Sequence, residues 1–234
     1  EPSSSGGHAS ERAEPVPAEE AWAQLIALAD EQGWTGEVVF STFRGDGEIA
    51  RLAAVTGANR VATKMQRSTA EPTAPATGTD LIRPEAMSQT AFDDYLSVSV
   101  DGYAREVLAS GAATDADAAR VDAQESMTRL LPQGRDTPDQ VLWTILDMEG
   151  APAGLLWLHL GREHAFIYDI EMRPETRGRG FGTQTLRFAV ERAREAGRPV
   201  IALNVFGHND GARRLYVREG FVETEVVWAA ALPG

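Results

Sequence analysis

The sequence predicts an α/β (α+β) protein: a mixed sheet with helices on both faces, preceded by a small N-terminal α/β half-domain. Three observations carry the prediction. Segments of helical and of strand periodicity alternate along the chain, the order that stacks helices on a sheet. Three apolar runs at 141–147, 154–160 and 165–172 follow one another across Glu149-Gly150 and the 161–164 segment, turns short enough for an antiparallel meander. A Ser, Thr, Ala and Pro stretch at 68–78, with Glu71-Pro72 and Ala74-Pro75, has linker composition and places a domain boundary near residue 78.

Taken in order, residues 1–17 have almost no large apolar side chain to offset the entropy of ordering, and a disordered tail is expected. Trp22, Leu25, Ile26 and Ala29 recur at helical spacing up to Gly33, a left-handed stop; 37–42 is a strand and 47–55 a short helix ended by Gly57. Beyond the linker, 81–83 is a short strand. Phe92, Tyr95, Leu96, Ser99, Tyr103 and Val107 mark a helical face ending at Gly111, and Ala116, Ala119, Ala123, Met127 and Leu130 mark a second over 115–131. After the meander come a helix at 183–196 stopped by Gly197, with Leu186, Ala189, Val190 and Ala193 inward, a strand at 200–205, a helix at 211–219 and a strand at 221–229.

Composition narrows the function. With 43% apolar and 24% charged residues the chain can build a sizeable core. The absence of cysteine excludes a disulfide scaffold, a thiolate metal site and a cysteine nucleophile. No apolar run approaches the ~18 residues of a membrane span, and the start lacks the regions of a secretory signal, so a cytoplasmic protein without a membrane partner is expected. A net charge of -13 repels phosphate backbones, which argues against nucleic acid and favours a cationic acceptor such as an amine.

The chemistry is read from Arg177-Gly178-Arg179-Gly180-Phe181-Gly182-Thr183, which joins an apolar strand ending Met172-Arg173-Pro174 to an amphipathic helix. At such a junction unpaired amides and the helix dipole converge on one point, and glycines let backbone approach a phosphate. A surface turn with three glycines is the competing structural reading. No Gly-Lys-Ser/Thr follows, so this is not a Walker loop, and the glycines do not have G-x-G-x-x-G spacing. The pattern Arg177-x-x-Gly180-x-Gly182, followed by Asn209-x-x-Ala212-x-x-Leu215-Tyr216-x-x-x-Gly220-Phe221, resembles the linked acyl-CoA signatures of the GNAT superfamily of N-acetyltransferases. The resemblance spans 79–228 and is strongest over the last third of the chain.

That resemblance implies a GNAT-like, mostly antiparallel twisted sheet flanked by helices, a catalytic domain over 79–234, and acetyl-CoA as co-substrate with no metal. Carried over, it implies that Arg177, Gly178, Arg179, Gly180, Phe181, Gly182 and Thr183 hold the pyrophosphate of CoA. The Met172 backbone would pair with pantetheine and polarise the acyl carbonyl. The strand bearing Met172 would splay from the strand near Asn204 to admit pantetheine, and Asn209 would contact the cofactor arm. Tyr216 occupies the position of the general acid, a phenol that protonates the leaving thiolate, against the alternative of a core aromatic. Glu171, beside Met172, is the candidate base, directly or through water; Asp169, on the same face by strand alternation, competes for that role. The implied reaction is direct transfer of an acetyl group to a primary amine of a small-molecule or peptide acceptor. A non-catalytic acyl-CoA-binding or regulatory module is the competing reading.

Other features have plainer readings. His159, His164 and His208 have no partner at ligand spacing and read as turn or strand-edge residues. Trp143 and Trp157 read as core or acceptor-pocket wall, and Asp93 and Asp94 first as complements of a helix dipole and second as an amine-recognising pair. A shift of 163 positions places Phe43 on Phe206, Asp46 on Asn209, Leu52 on Leu215 and Gly57 on Gly220, which reads as an internal repeat. The front copy has Ala53 where Tyr216 stands and no glycine loop. Residues 18–67 are therefore expected to be a partial, degenerate GNAT-like region with a structural role, packing on the catalytic domain or forming a homodimer.

Overall fold

The computed structural model describes residues 16–71, 80–109 and 115–232; the tail at 1–15, the linker at 72–79, the Gly111 stop and the side chains of Tyr103 and Val107 lie outside the described residues. In chain order the elements are α1 (Ala18–Gln32), β1 (Glu37–Phe43), α2 (Gly47–Thr56), β2 (Asn59–Ser68), β3 (Arg83–Ala86), α3 (Gln89–Ala109), α4 (Ala116–Leu130), β4 (Gln140–Leu146), β5 (Pro152–Leu160), β6 (Ala165–Met172), α5 (Phe181–Glu195), β7 (Val200–Phe206), α6 (Asp210–Arg218) and β8 (Val222–Ala231). They fall into two compact units, one of residues 64–205 and 209–223, the other of the remaining described residues.

In the larger unit the strands lie in the order β2-β7-β6-β5-β4-β3. The β3–β4, β4–β5 and β5–β6 pairs are antiparallel and β6–β7 is parallel, so the mixed, mostly antiparallel sheet expected from the sequence is present. Strand β5 reads as a continuous apolar run because both its faces are covered. Leu156 and Leu158 join a core in which α5 contributes Leu186, Ala189, Val190 and Ala193, and β7 contributes Ile201 and Leu203. On the opposite face Trp157 packs with Phe92 and Tyr95 of α3 and with Leu131. Each such leucine or isoleucine contributes ~1.5–3 kcal/mol on burial.

Several boundaries differ from expectation for local reasons. Strand β2 was not anticipated: its inward positions are Thr63, Met65 and Arg67, only one of them apolar. Met65 is fully buried in the α5-side core, and Arg67 donates to the Glu219 carbonyl at 2.7 Å, closing the end of α6. The short strand expected at 81–83 lies instead at Arg83–Ala86, because the Leu81 amide donates to Gln184 Oε1 and not to a ladder. Helix α3 begins at Gln89, so Asp93 and Asp94 fall beyond its first turn and do not complement its dipole; Asp93 accepts from Gln89 Nε2.

In the smaller unit the strand order is β1-β8-β2, with β1 and β8 antiparallel from Glu37–Ala231 to Phe43–Glu225. The shift of 163 positions carries α1 onto α5, β1 onto β7 and β2 onto β8 end for end, and α2 onto α6 to within one residue. Gly57 and Gly220, paired by that shift, both adopt left-handed φ (65° and 85°) after their helices.

Candidate active site

Strand β6 is the floor of the site, and a single extra residue decides what it presents. Up to Ile167 it pairs as Leu158↔Ile167; from Asp169 it pairs as Trp157↔Asp169, which leaves Tyr168 without a partner in a β-bulge. Before the bulge Ala165 and Ile167 face the α5-side core; after it, Ile170 and Met172 do. Alternation therefore reverses, and Asp169 and Glu171 stand on the face of Trp157 and Leu155, toward α3 and α4. The parallel ladder with β7 runs from Ala165↔Ile201 to Ile167↔Leu203, so the two strands part at the same bulge. Gly154 lies opposite Met172, and a Cβ there would meet the Glu171 carbonyl at 2.3 Å, so only glycine lets β5 run this close.

The loop after β6 is anchored by Thr176, whose buried hydroxyl donates to the Ala153 and Arg173 carbonyls, each at 2.9 Å. Gly178 and Gly180 adopt φ of 72° and 93°, conformations that a side chain disfavours. Gly180 is the N-cap of α5 and no side chain caps that end. Helix geometry leaves the amides of Phe181, Gly182 and Thr183 without intrahelical partners, and Gln184 is the first to bond back, to the Gly180 carbonyl at 3.1 Å. Three convergent amides at a helix start, beside a glycine with nothing within 4 Å of its Cβ position, suit a pyrophosphate. The loop side chains behave differently from one another. Phe181 is buried in the core, so its backbone alone could meet a ligand; Arg179 stacks over that ring at 5.4 Å; Arg177 donates to the Met172 carbonyl at 2.9 Å and lies 3.8 Å from Glu171.

Tyr216 comes from α6, where Asn209 acts as N-cap by accepting from the Ala212 amide at 3.1 Å. Its ring is buried beside Phe221, with centroids 5.9 Å apart. Burial first, and the negative charge of Asp169 second, push its phenol up to about 12, so it keeps its proton at neutral pH. Glu171 is 60% exposed, whereas Asp169 is half-buried and accepts from the Tyr95 hydroxyl at 3.0 Å. Burial pushes Asp169 up to about 6; the Tyr95 hydrogen bond opposes this, Glu171 adds to it, and the Ile170 amide opposes it. Burial and the Asp169 charge hold the Tyr95 phenol well above its usual range.

Tyr95 is the partner of Asp169 that sequence reasoning did not single out, since it appeared there only as one of several apolar positions on a helical face. Of the two tryptophans, Trp157 lies on the Asp169 side, stacked on Tyr168 at 4.7 Å, whereas Trp143 meets Phe188 edge-on against the α5 side. Among the described residues no three His, Cys, Asp or Glu side chains cluster to hold a metal, and no helix is long and apolar enough to cross a membrane.

A mixed sheet whose parallel pair opens beside an uncapped, glycine-flanked helix start is an arrangement suited to an anionic ligand. The profile of the Acetyltransferase (GNAT) family matches residues 112–221. An uncharacterized N-acetyltransferase of Bacillus subtilis (strain 168), YycN, is 37% identical over 150 residues, which cover 62% of this chain and 96% of the relative. Its crystal structure matches with a TM-score of 0.56 at 36% identity, over 61% of this chain and 93% of that one. A second uncharacterized N-acetyltransferase of the same organism, YdgE, is 32% identical over 146 residues, 61% of this chain and 92% of the relative. The GCN5-related N-acetyltransferase from Sphaerobacter thermophilus shares the fold over 92% of this chain and 67% of its own, with a TM-score of 0.55 at 18% identity. The chain belongs to the GNAT acetyltransferase family, whose members use acetyl-CoA, and it is an acyltransferase.

Proposed function

We propose that this protein transfers an acetyl group from acetyl-CoA directly to a primary amine of a small-molecule or peptide acceptor. The observation that carries this reading is the meeting, within one unit, of the uncapped α5 start, the parting of β6 from β7, and the protonated phenol of Tyr216. The amides of the 177–183 loop would hold the pyrophosphate, the Met172 backbone would face the acyl arm, and Asn209 would lie at the mouth. Aminolysis needs a neutral amine and a proton for the departing sulfur. Glu171, exposed beside Met172, would take the amine proton directly or through water, with Asp169 as the competing carboxylate, and Tyr216 would protonate the thiolate. Thiol release from acetyl-CoA across an amine panel is expected for some amine. CoA binding without release for any of them would favour a non-catalytic acyl-CoA-binding module.

We further propose catalysis within 79–234, with 18–67 as a partial repeat of the α5-to-β8 segment in a structural role. Because Met65 lies in the α5-side core and Arg67 closes α6, a chain starting at residue 79 is expected to be insoluble or to melt well below the full chain. A soluble, fully active fragment, measured by thiol release and thermal midpoint, would rule out that role.

A further inference from the structure

The bulge at Tyr168 builds a stack of rings with one end open. Trp157 and His159 of β5 and Phe166 and Tyr168 of β6 share the face opposite the Leu156, Leu158 and Ile167 core. Trp157 is 2% exposed and covers one face of the Tyr168 ring, with centroids 4.7 Å apart and planes 29° apart. Phe166 meets the same ring edge-on at 5.0 Å, and His159 lies at 6.3 Å. Three neighbours hold the tyrosine in place, yet it is 39% exposed, so its outer surface is open. A ring already fixed by packing has little rotamer freedom left to lose, and a further ring can stack on it at small entropic cost.

Its position ties this open ring to the cleft. Strands β6 and β7 part after Ile167↔Leu203, so no strand pairs with Tyr168 on that side, and Ala202, opposite Phe166, carries only a methyl group. Four residues, ~13 Å of strand, separate Tyr168 from Met172. One small molecule can bridge that span.

Resting on the acetyl-transfer reading above, we propose that Tyr168 is a specificity-determining residue whose open face stacks an aromatic ring carried by the acceptor. The acceptor is then an arylalkylamine, with its ring on Tyr168 and its amine toward the acyl arm beside Met172. Aromatic pairs contribute more than the apolar area they cover, because the face of one ring attracts the edge or the offset face of the other. A saturated ring of equal carbon number gains only the area.

The probes are a phenylalkylamine and the cyclohexylalkylamine with the same linker. Wild type is expected to favour the phenyl compound by ~10-fold, both in kcat/KM for thiol release and in calorimetric affinity with CoA present. Tyr168→Leu keeps an apolar side chain against Trp157 but no ring, and should bring the phenyl-to-cyclohexyl ratio close to unity. Tyr168→Phe restores the ring and should restore the ratio. CoA affinity, measured separately for each variant, shows whether the fold survives; should Tyr168→Leu lose it, the wild-type and Tyr168→Phe ratios still decide. If wild type releases no thiol with any amine, the acetyl-transfer reading fails, and the calorimetric ratio alone tests the stacking. A wild-type ratio near unity, or one that a folded Tyr168→Leu leaves unchanged, overturns the inference.

Discussion

Tyr216→Phe is expected to leave CoA affinity intact and to lower turnover by ~10²-fold or more. The substitution deletes one oxygen from a ring that is 6% exposed and packed on Phe221, so the core around it has little reason to move. What it removes is a proton donor that burial and the charge of Asp169 keep in its acid form across the neutral range. A thiolate leaving without that proton must wait for one from water. Isothermal titration with CoA and steady-state thiol release separate the two effects, and unchanged turnover would dismiss Tyr216 as the acid.

Gly180→Glu is expected to abolish CoA binding without unfolding the protein. The position has φ of 93°, a conformation that costs a side chain ~1 kcal/mol or more, and a Cβ there would come within 3.2 Å of Leu81 Cδ1. Those costs are modest for a domain of this size, whereas the carboxylate would sit among the first-turn amides of α5, where it would occupy and repel a phosphate at once. Gly180→Ala carries the backbone cost without the charge and should retain measurable affinity. Comparable CoA affinity in wild type and Gly180→Glu would mean that the pyrophosphate lies elsewhere.

Much of the candidate site was legible because its parts are local. The 177–183 loop and the Asn209-to-Phe221 segment each fit within one turn and one helix, so spacing alone brings their residues together. The β4–β6 meander was legible for the same reason, its turns being short. Strand β2 was hidden because a buried guanidinium, Arg67, takes an inward place that an apolar side chain would have marked. The link between Tyr95 and Asp169 joins residues 74 positions apart and follows from the packing of α3 on the sheet, which no periodicity encodes. Asp169 and Glu171 were placed on one face correctly, but which face depends on Tyr168, and the bulge there has no glycine or proline to announce it.

The reversal at Tyr168 also determines which sequence changes this enzyme can accumulate. Side chains along the site end of β6 can be exchanged one at a time while each position keeps its outlook. Loss or gain of one codon there would instead turn two carboxylates into the oily interior and push Ile170 and Met172 out, whereas the 161–164 turn could absorb such a change in length. For this segment the number of residues governs what each face presents more strictly than their identity does.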